Sequence, residues 1–364
     1  MVDASPVIVA HSRGRYPVYI EPGVLGRLET VSAEHLGAGQ VVMIADATVH
    51  GLLQEGKLRR PAWKGDAVTF PAGEDSKNRK EWARITDLLL ERRVGRDGGV
   101  IALGGGVAGD LAGFVAATYL RGIPFLQAPT SLLAMVDASV GGKTGVDTRQ
   151  GKNLVGAFHH PAAVVADPRV LQTLPERDYR GGLAEAVKHG LIADEAYFAW
   201  MEREVAALAR RDEAVLTRLV RRSVEIKAAI VTEDEREAGK RAVLNAGHTV
   251  AHALEQVTGY MLPHGEAVSL GLVAECALAE SEGIARADMR ERVVSLLRSL
   301  GLPVRLPQRV DFDAVFAAMG RDKKNRMARI HFALPSAIGC MKEAGGWTRP
   351  AAEAAIESAL ESIS

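Results

Sequence analysis

The spacing of apolar residues divides the chain into two successive regions with different patterns. Up to about residue 170, short runs rich in β-branched residues alternate with segments of helical periodicity. Such runs predict strands, and their alternation with helices predicts a mostly parallel sheet. The predicted strands are QVVMIAD, DAVTFPAG, GGVIALGGG, IPFLQAP and AAVVADP, and KNRKEWARITDLLLERRV is predicted to be a helix.

The pattern of the second region predicts helices. Residues 182–234 and most of 246–300 carry helical periodicity, and residues 328–341 predict a small hairpin. A chain of 364 residues is long enough for two domains with well-buried cores. The pattern therefore predicts an α/β domain over residues 1–167 and a mainly α-helical domain over residues 168–364.

Composition narrows the classes of partner. With 45 basic and 45 acidic residues the formal net charge is zero, which argues against a nucleic-acid or polyanionic-surface partner. The two cysteines, Cys276 and Cys340, form no C-x-x-C pair, so a disulfide scaffold or a thiolate zinc site is not expected. The apolar window VIALGGGVAGDLAGFVAATYL has Asp110 at its centre and suits a glycine loop better than a membrane span. We expect a cytoplasmic protein without a signal peptide.

Three histidines lie close together in NAGHTVAHALEQVTGYMLPHGE. His248 and His252 are four residues apart and share one face of a predicted helix, while His264 follows the break made by Gly259 and Pro263. A solvated helix edge, catalytic groups and metal ligands are all open interpretations. The metalloprotease pattern H-E-x-x-H is excluded because no glutamate lies between the first two histidines, and a metal site would need a further ligand, such as a carboxylate.

Three glycine-rich segments could bind phosphate groups. Gly104, Gly106 and Gly109 match G-x-G-x-x-G after a predicted strand, although the acidic residue usual about twenty positions later is missing. A structural turn is the alternative, and Asp46, at the end of an earlier strand, could bind a ribose. Lys143 and Lys152 each follow glycine, but the Walker A spacing is not met, so nucleotide hydrolysis is not predicted.

The order of the motifs carries a specific resemblance. Six segments closely resemble those of the 3-dehydroquinate synthases, in the sugar-phosphate cyclase family. The segment RDKKN at 321–325 shows a weaker resemblance. The six are GGGVAGDLAGFVAATYLRGIPFLQAPTSLLAMVDASVGGKTGVD, GKNLVGAFHHP, LPERDYRGGLAEAVKHGLI, SVEIKAAIVTEDERE, RAVLNAGHTVAHALE and LPHGEAV.

The resemblance implies a fold and two cofactors. It implies an N-terminal Rossmann-like α/β domain that binds NAD, a C-terminal helical domain that binds metal and substrate, and an active site in the cleft. Glu185, His248 and His264 match the ligands of a catalytic zinc, for which Co²⁺ could substitute. His252 matches an active-site histidine that binds the substrate and helps to move protons.

The resemblance also implies a reaction in the shikimate pathway of aromatic amino acid biosynthesis. The substrate is 3-deoxy-D-arabino-heptulosonate 7-phosphate. Transient oxidation by NAD⁺ acidifies a neighbouring C–H, phosphate leaves by β-elimination, the hydride returns, and an intramolecular aldol step yields 3-dehydroquinate. The enzyme is therefore a phosphate lyase (a carbon–oxygen lyase) and not a net oxidoreductase.

Further residues match family positions one by one. Asp137 and Lys188 match groups near the reacting hydroxyls, and Arg121 matches an arginine that reaches the phosphate from the other subunit of a homodimer. Lys227 and Arg241 match the carboxylate end, with Glu237 nearby. The matches around the phosphate are Lys143, Asn153, Asn245 and one of Lys323 or Lys324. The matches around NAD are Asp46, Glu74, Lys77, Gly104, Gly105, Gly106, Asp110, Thr130, Ser131, Lys143, Lys152 and Thr173.

Two enzymatic alternatives remain open beside this prediction. A cyclase acting on sedoheptulose 7-phosphate or glucose 6-phosphate would use a substrate without a carboxylate, whereas Lys227 and Arg241 favour a substrate that has one. A metal-dependent polyol dehydrogenase would need no phosphate-binding cations and would accumulate NADH. A non-catalytic binding protein is disfavoured because the metal, nucleotide and phosphate motifs are all intact.

Overall fold

The structure is a computed structural model that describes residues 5–58, 63, 65–286, 288–320, 329–341 and 346–364. The chain folds into two compact units: Met1–Pro175 with Leu216–Ala228, and Glu176–Val215 with Ala229–Ser364. The predicted assignment of NAD to residues 1–167 and of metal and substrate to residues 168–364 stays a prediction.

The first unit is built on a seven-stranded sheet in the order β1-β2-β9-β6-β5-β3-β4. β1 and β2 form an antiparallel hairpin, and β2 and the strands that follow it in the sheet pair in parallel. A separate antiparallel hairpin is formed by β7 and β8. The strands are β1 Val7–His11, β2 Gly14–Ile20, β3 Val41–Asp46, β4 Ala67–Phe70, β5 Gly99–Gly104, β6 Phe125–Pro129, β7 Lys143–Thr148, β8 Gly151–Phe158 and β9 Ala163–Ala166.

Helices cover this sheet and explain its apolar strands. Every residue of β5, β6 and β9 is buried, as expected for parallel strands covered on both faces. The helices of the unit are α1 Leu28–His35, α2 Ala47–Gln54, α3 Arg79–Glu91 and α4 Gly106–Thr118. α4 contains most of the apolar window VIALGGGVAGDLAGFVAATYL. Among the described residues we find no helix long and apolar enough to cross a membrane.

The strand order places a reversal point beside β3. From β3 the chain moves outward to β4, then returns past β3 to β5 and continues to β6 and β9. In doubly wound sheets, ligands bind where the order reverses, outside the carboxyl ends of the strands. Here those ends are Asp46 on β3 and Gly104 on β5, so the glycine motif lies at the reversal point.

The second unit is mainly helical. Its helices are α5 Glu176–Ala193, α6 Glu195–Ala209, the two ends of α7 Glu213–Glu233, α8 His248–Val257, α9 His264–Ser281, α10 Met289–Ser299, α11 Phe312–Gly320 and α12 Glu353–Glu361. Four short strands form two small ladders, β10 His331–Phe332 with β13 Arg349–Pro350, and β11 Pro335–Ala337 with β12 Cys340–Met341. Asp194 and Asp212 cap α6 and α7, so the predicted continuous helical stretch breaks where these caps start new helices.

The predicted fold class, an α/β region followed by a mainly helical region, is confirmed. The five predicted strands correspond to β3, β4, β5, β6 and β9. The hairpin β1–β2 was not predicted, and neither was the hairpin β7–β8, which carries Lys143 and Lys152.

Candidate active site

Three helices bring the predicted metal ligands together. Glu185 lies in α5, and His248 and His264 are the first residues of α8 and α9. The backbones approach closely: a Cβ atom on Gly265 would lie 2.1 Å from the Cα of Gly181. Glycine at these positions therefore lets α5 and α9 cross close to the ligand side chains.

The three side chains converge on one carboxylate oxygen. The Nε2 atoms of His248 and His264 each lie 3.3 Å from Oε1 of Glu185, and one ligand atom from each residue lies within 4.8 Å of the others. Glu185 is fully buried, and neither of its oxygens accepts a hydrogen bond of good geometry from the described residues. Lys188 forms an ion pair with Oε2. A buried carboxylate that faces two imidazole nitrogens is a suitable cradle for a divalent cation.

Hydrogen bonds on the far side of each imidazole orient it for metal binding. Nδ1 of His248 lies 3.2 Å from the carbonyl oxygen of Ala246, and Nδ1 of His264 lies 3.4 Å from Oε2 of Glu255. With the Nδ1–H groups donated to these acceptors, Nε2 is the nitrogen of each ring that is available to a metal beside Glu185. A second acceptor behind a ligating histidine is the usual way in which proteins set the tautomer of a metal ligand. The residues therefore fit a metal.

The charges around the cluster set the protonation state of each predicted ligand. Burial raises the pKa of Glu185, but Lys188 and His248 together hold this pKa well below its usual range. Burial and the charge of Lys188 lower the pKa of His248 to about 4. Burial lowers the pKa of His264 too, but its interactions with Glu185 and Glu255 overcome this and raise the pKa to about 10. At neutral pH the metal-free cluster therefore has an anionic Glu185, a neutral His248 and a proton on His264 that a metal would displace.

The reversal point of the first unit gathers several residues predicted to bind NAD. The Asp46 carboxylate accepts hydrogen bonds from the backbone N–H groups of Thr48 and Val49 and so caps α2. A Cβ atom on Gly104, where φ is +153°, would lie 2.6 Å from the Cβ of Ala108 and 3.0 Å from the Cβ of Asp46, so the turn from β5 into α4 requires glycine here. The N–H of Thr130 donates to the carbonyl oxygen of Gly104, 2.8 Å away.

The glycine motif itself has the geometry of an anion-binding turn. Gly105 is the N-cap of α4, Gly106 is its first residue, and a Cβ on Gly105 would lie 3.3 Å from Oγ of Ser131. The free N–H groups of the first turn of a helix favour a phosphate group. A Cβ on Gly109 would lie 2.7 Å from Oε1 of Gln127, so this glycine permits close packing of α4 on the sheet.

Comparison with known proteins gives the family. The N-terminal model of 3-dehydroquinate synthase matches residues 67–181, and the C-terminal model of 3-dehydroquinate synthase matches residues 182–325. A 3-dehydroquinate synthase of Halorhodospira halophila is 47% identical over 325 residues, which cover 89% of this chain and 91% of the relative.

The chain belongs to the 3-dehydroquinate synthase family.

Solved structures with the 3-dehydroquinate synthase fold are similar over nearly the whole chain. A 2-epi-5-epi-valiolone synthase from Streptomyces hygroscopicus subsp. jinggangensis 5008, with NAD⁺ and Zn²⁺ bound, is 29% identical with a TM-score of 0.86 over 98% of this chain and 99% of that chain. A 2-deoxy-scyllo-inosose synthase complexed with carbaglucose-6-phosphate, NAD⁺ and Co²⁺ has a TM-score of 0.88 at 24% identity over 98% and 99% of the two chains, a likeness of fold. The predicted family and fold class are thus confirmed.

His252 is not part of the cluster formed by Glu185, His248 and His264. His252 lies one turn along α8 from His248, is exposed, and has its ring centre 6.3 Å from that of His264. A ligand atom of His252 also lies within 4.8 Å of ligand atoms of Glu255 and His264. The set of Glu185, His248 and His264 is the better metal site because it contains no exposed residue and because acceptors lie behind both of its imidazoles. The predicted substrate role of His252 stays a prediction.

The loop after α7 assembles a second group of family-matched residues. The Asp234 carboxylate accepts hydrogen bonds from the N–H groups of Ala238, Gly239 and Arg241, which fold residues 234–241 into a compact turn. The side chain of Asn245 donates to Oε1 of Glu237 over 2.7 Å. The guanidinium of the buried Arg241 contacts the carbonyl oxygen of Glu235. Asn245, Glu237 and Arg241 therefore lie on one ordered segment.

Ion pairs connect other predicted residues of the first unit. Nζ of the buried Lys77 lies 2.5 Å from Oδ2 of Asp110 and 3.8 Å from Oε1 of Glu74. Burial lowers the pKa of Lys77, but the charges of Asp110, Glu74 and Asp147 and the hydrogen bond to Asp110 together more than offset it, so the pKa is raised. Nζ of Lys227 donates to Oδ1 of Asp137 over 2.7 Å. Some of the residues predicted to bind NAD or the substrate thus form ion pairs with one another.

The remaining predicted residues lie on exposed or loop positions. Lys143 begins β7, and Lys152 and Asn153 lie on β8, where the N–H of Asn153 donates to Oδ1 of Asp147. Arg121 is exposed in a turn after α4 with φ of +67°. Thr173 donates through Oγ1 to the carbonyl oxygen of Val170. Lys323 and Lys324 lie outside the described residues.

Two buried glutamates were missed by the sequence analysis. Glu255, 3% exposed, supports His264, and Glu275, 1% exposed, contacts the first turn of α8. Each lies where the helical periodicity predicts an inward-facing position, and a buried acid needs a partner. An acidic residue at an inward-facing helix position was therefore a signal in the sequence. The partner of each glutamate, however, is defined only by the packing of the helices.

Proposed function

We propose that the chain is a 3-dehydroquinate synthase that converts 3-deoxy-D-arabino-heptulosonate 7-phosphate into 3-dehydroquinate and phosphate in the shikimate pathway. Family membership over nearly nine-tenths of the chain supports this proposal. The single observation that carries the chemistry is the cluster of the buried Glu185 with His248 and His264, whose imidazoles both have acceptors at Nδ1. Such a donor set is that of a catalytic metal, not of a purely structural one.

The proposed cofactors are NAD and one divalent metal, Zn²⁺ or Co²⁺. The valiolone synthase binds NAD⁺ and Zn²⁺, and the inosose synthase binds NAD⁺ and Co²⁺. Two imidazoles and one carboxylate suit either ion and leave positions for substrate oxygens. The glycine turn at Gly104–Gly106 suits the pyrophosphate of NAD, and Asp46 lies beside it at the end of β3.

When bound, the two cofactors supply hydride transfer and polarisation of oxygen atoms, respectively. The chain supplies the ligands and the proton transfers. His252 holds the substrate and moves protons, and Lys188 and Asp137 bind the hydroxyls near the reacting carbons. The phosphate leaves with both electrons of its C–O bond, and the proton comes from the neighbouring carbon, so the elimination is balanced without an external oxidant.

Cations of the chain bind the two charged ends of the substrate. Lys143, Asn153, Asn245 and one of Lys323 and Lys324 bind the phosphate, and Arg121 joins them from a second copy in a homodimer. Lys227 and Arg241 bind the carboxylate. Lys227 already donates to Asp137, so its role in the reaction includes fixing Asp137 as well as attracting the substrate.

The direct test is product formation with variants of the metal cluster. The parent chain, supplied with the heptulosonate phosphate, NAD⁺ and Zn²⁺, is expected to release phosphate and carbocycle in equal amounts without accumulating NADH. Glu185→Gln should abolish both products. Glu280→Gln is the matched control, because Glu280 lies on α9 but pairs with Arg290. Accumulating NADH without phosphate would indicate a polyol dehydrogenase instead.

A second candidate is a cyclase for sedoheptulose 7-phosphate, favoured by the 29% identity to the valiolone synthase. That substrate has no carboxylate, which would leave the cations Lys227 and Arg241 without the group that they are proposed to bind. We expect the parent chain to prefer the heptulosonate phosphate strongly. Equal turnover of both sugar phosphates would overturn the dehydroquinate proposal and support this second candidate.

A further inference from the structure

A buried glutamate on α9 contacts the first turn of the neighbouring helix α8. Oε2 of Glu275 accepts a hydrogen bond of 2.7 Å from the N–H of Gly247, and Oε1 accepts bonds from the N–H groups of Thr249 and Val250 at 3.2 and 3.4 Å. Glu275 is only 1% exposed. A buried carboxylate that accepts three backbone donors belongs to the structure of that helix start.

The local sequence of α8 explains why a distant side chain is needed. The first N–H groups of a helix have no partner within the helix. The N-cap of α8 is Gly247, which has no side chain to accept them and has a left-handed φ of +80°. Glu275 provides the acceptors, and its negative charge is favoured at the positive end of the helix dipole.

Close backbone packing makes this contact possible. A Cβ atom on Gly271 would lie 1.9 Å from the carbonyl oxygen of Gly247, so α9 touches α8 backbone to backbone one turn before Glu275. The side chain of Glu275 therefore needs only its own length to reach the start of α8.

The helix start that Glu275 holds is also the position of a metal ligand. His248 is the first residue of α8, and its chain neighbours Gly247 and Thr249 both donate to Glu275. Its Nδ1 is held by the carbonyl oxygen of Ala246. α9, which carries Glu275, begins with the other imidazole ligand, His264. One side chain therefore ties together the two helices that present the two imidazoles to Glu185.

We propose that Glu275 is a positioning residue of the metal centre, which fixes the backbone of His248 relative to α9 without touching the metal. This inference rests on the proposed metal role of Glu185, His248 and His264. Without Glu275 the start of α8 loses three hydrogen bonds to two carboxylate oxygens, and Nε2 of His248 is no longer held at the distance that the cluster requires.

The test compares metal affinity and metal geometry in Glu275 variants of the full chain. Glu275→Gln keeps the volume of the side chain but replaces one of its two acceptor oxygens by a donor NH2 group and removes the charge, and Glu275→Ala removes both oxygens. Each variant is loaded with Co²⁺ in competition with a chelator, and its visible spectrum is recorded. Loss of a supporting residue typically weakens metal binding about 10- to 100-fold, and we expect both variants to fall in that range with an altered Co²⁺ spectrum.

Asp212→Ala is the matched control. Asp212 caps α7 through the N–H groups of Ala214 and Val215, so its loss removes a helix cap without involving α8 or α9. This variant should lose thermal stability but keep the Co²⁺ affinity and spectrum of the parent. If Glu275→Ala does not fold, the isosteric Glu275→Gln carries the test.

Two outcomes overturn the inference in distinguishable ways. Folded Glu275 variants with the Co²⁺ affinity and spectrum of the parent would overturn the positioning role alone. A parent chain that binds no Co²⁺ would overturn the proposed metal centre together with this inference.

Discussion

At the scale of single residues, the imidazole of His264 has an unusual environment. Its Nε2 faces Glu185 and its Nδ1 faces Glu255, so both ring nitrogens lie next to carboxylates. His248 faces Glu185 and a neutral carbonyl oxygen, and it also lies near the charge of Lys188. The two histidines proposed to bind the same ion therefore start from opposite protonation states, one neutral and one charged.

This difference predicts that metal binding releases a proton from His264. The pKa of His264 is raised to about 10, so the metal-free ring is protonated at pH 7, whereas His248, with a pKa of about 4, is already neutral. Affinity should therefore rise about tenfold per pH unit between pH 6 and 8, as expected for displacement of one proton. Calorimetric titration with Zn²⁺ in two buffers of different ionisation enthalpy measures the protons released. Equal heats in the two buffers would contradict the prediction.

Alanine substitution of two neighbouring histidines should separate metal binding from catalysis. We expect His264→Ala to lose both metal and activity, because it removes a ligand that faces Glu185. His252→Ala should keep the metal and lose activity, because His252 lies at the exposed side of the cluster. Metal analysis of the purified variants, paired with a phosphate-release assay, decides between these outcomes. A fully loaded His264→Ala chain would show that the ligand assignment is wrong.

At the scale of elements, glycines control how closely the helices of the second unit approach one another. Gly181 meets Gly265 where α5 crosses α9, and Gly247 meets Gly271 where α8 crosses α9. Each ligand side chain starts within about one helical turn of such a contact. The reach of a histidine or a glutamate is short, so the ligand atoms converge only if the helix backbones touch.

We expect Gly271→Ala to destabilise the chain and to weaken metal binding. The added methyl group would lie 1.9 Å from the carbonyl oxygen of Gly247, so α8 and α9 must separate. Overpacking of this kind costs about 1–3 kcal/mol or more. Urea unfolding measures the loss of stability, and chelator competition measures the loss of affinity.

Gly51→Ala serves as the control for this prediction. Gly51 lies within α2, and nothing is within 4 Å of a Cβ built there. Replacement of an unstrained glycine by alanine usually stabilises by about 0.4–1 kcal/mol. A Gly271→Ala chain as stable as the Gly51→Ala chain would refute the role of the close helix contact.

At the scale of the whole molecule, family membership sets the class of enzyme, and the subunit arrangement is the next question. The chain is a member of the 3-dehydroquinate synthase family over most of its length. Arg121 lies in an exposed turn between α4 and β6, a position from which a side chain could serve a second copy. The homodimer stays a prediction.

Mixing two inactive variants tests the shared arginine. Arg121→Ala chains lack the group given to the partner, and Lys188→Ala chains lack a group of their own site. In a mixed dimer one of the two sites regains both residues, so random mixing should restore about a quarter of the parent activity, by the symmetry of a two-fold dimer. Chains are mixed under mild denaturation, refolded and assayed for phosphate release. If isolated mixed dimers stay inactive, Arg121 acts within its own subunit.

The sequence alone determined the class of fold and the family, and it predicted which residues form the metal-ligand set. The strands β3, β5 and β6 were predictable because a parallel strand covered on both faces is apolar along its whole length. Glu185, His248 and His264 were predictable because each stands within a motif of the family, and the structure places them together.

Only the tertiary structure decided which residues support this site and which pair with each other. Glu255 contacts His264, and Glu275 contacts the start of α8, in each case on another helix. The ion pairs Lys77–Asp110 and Lys227–Asp137 likewise join residues that are distant in sequence. The segments around Lys143 and Lys152 were not predicted to be strands because glycine weakens the strand pattern, yet their backbones pair as the β7–β8 hairpin. The physical reason is common to these cases: a local pattern specifies which face of an element is buried, whereas the partner on that face depends on how the elements pack.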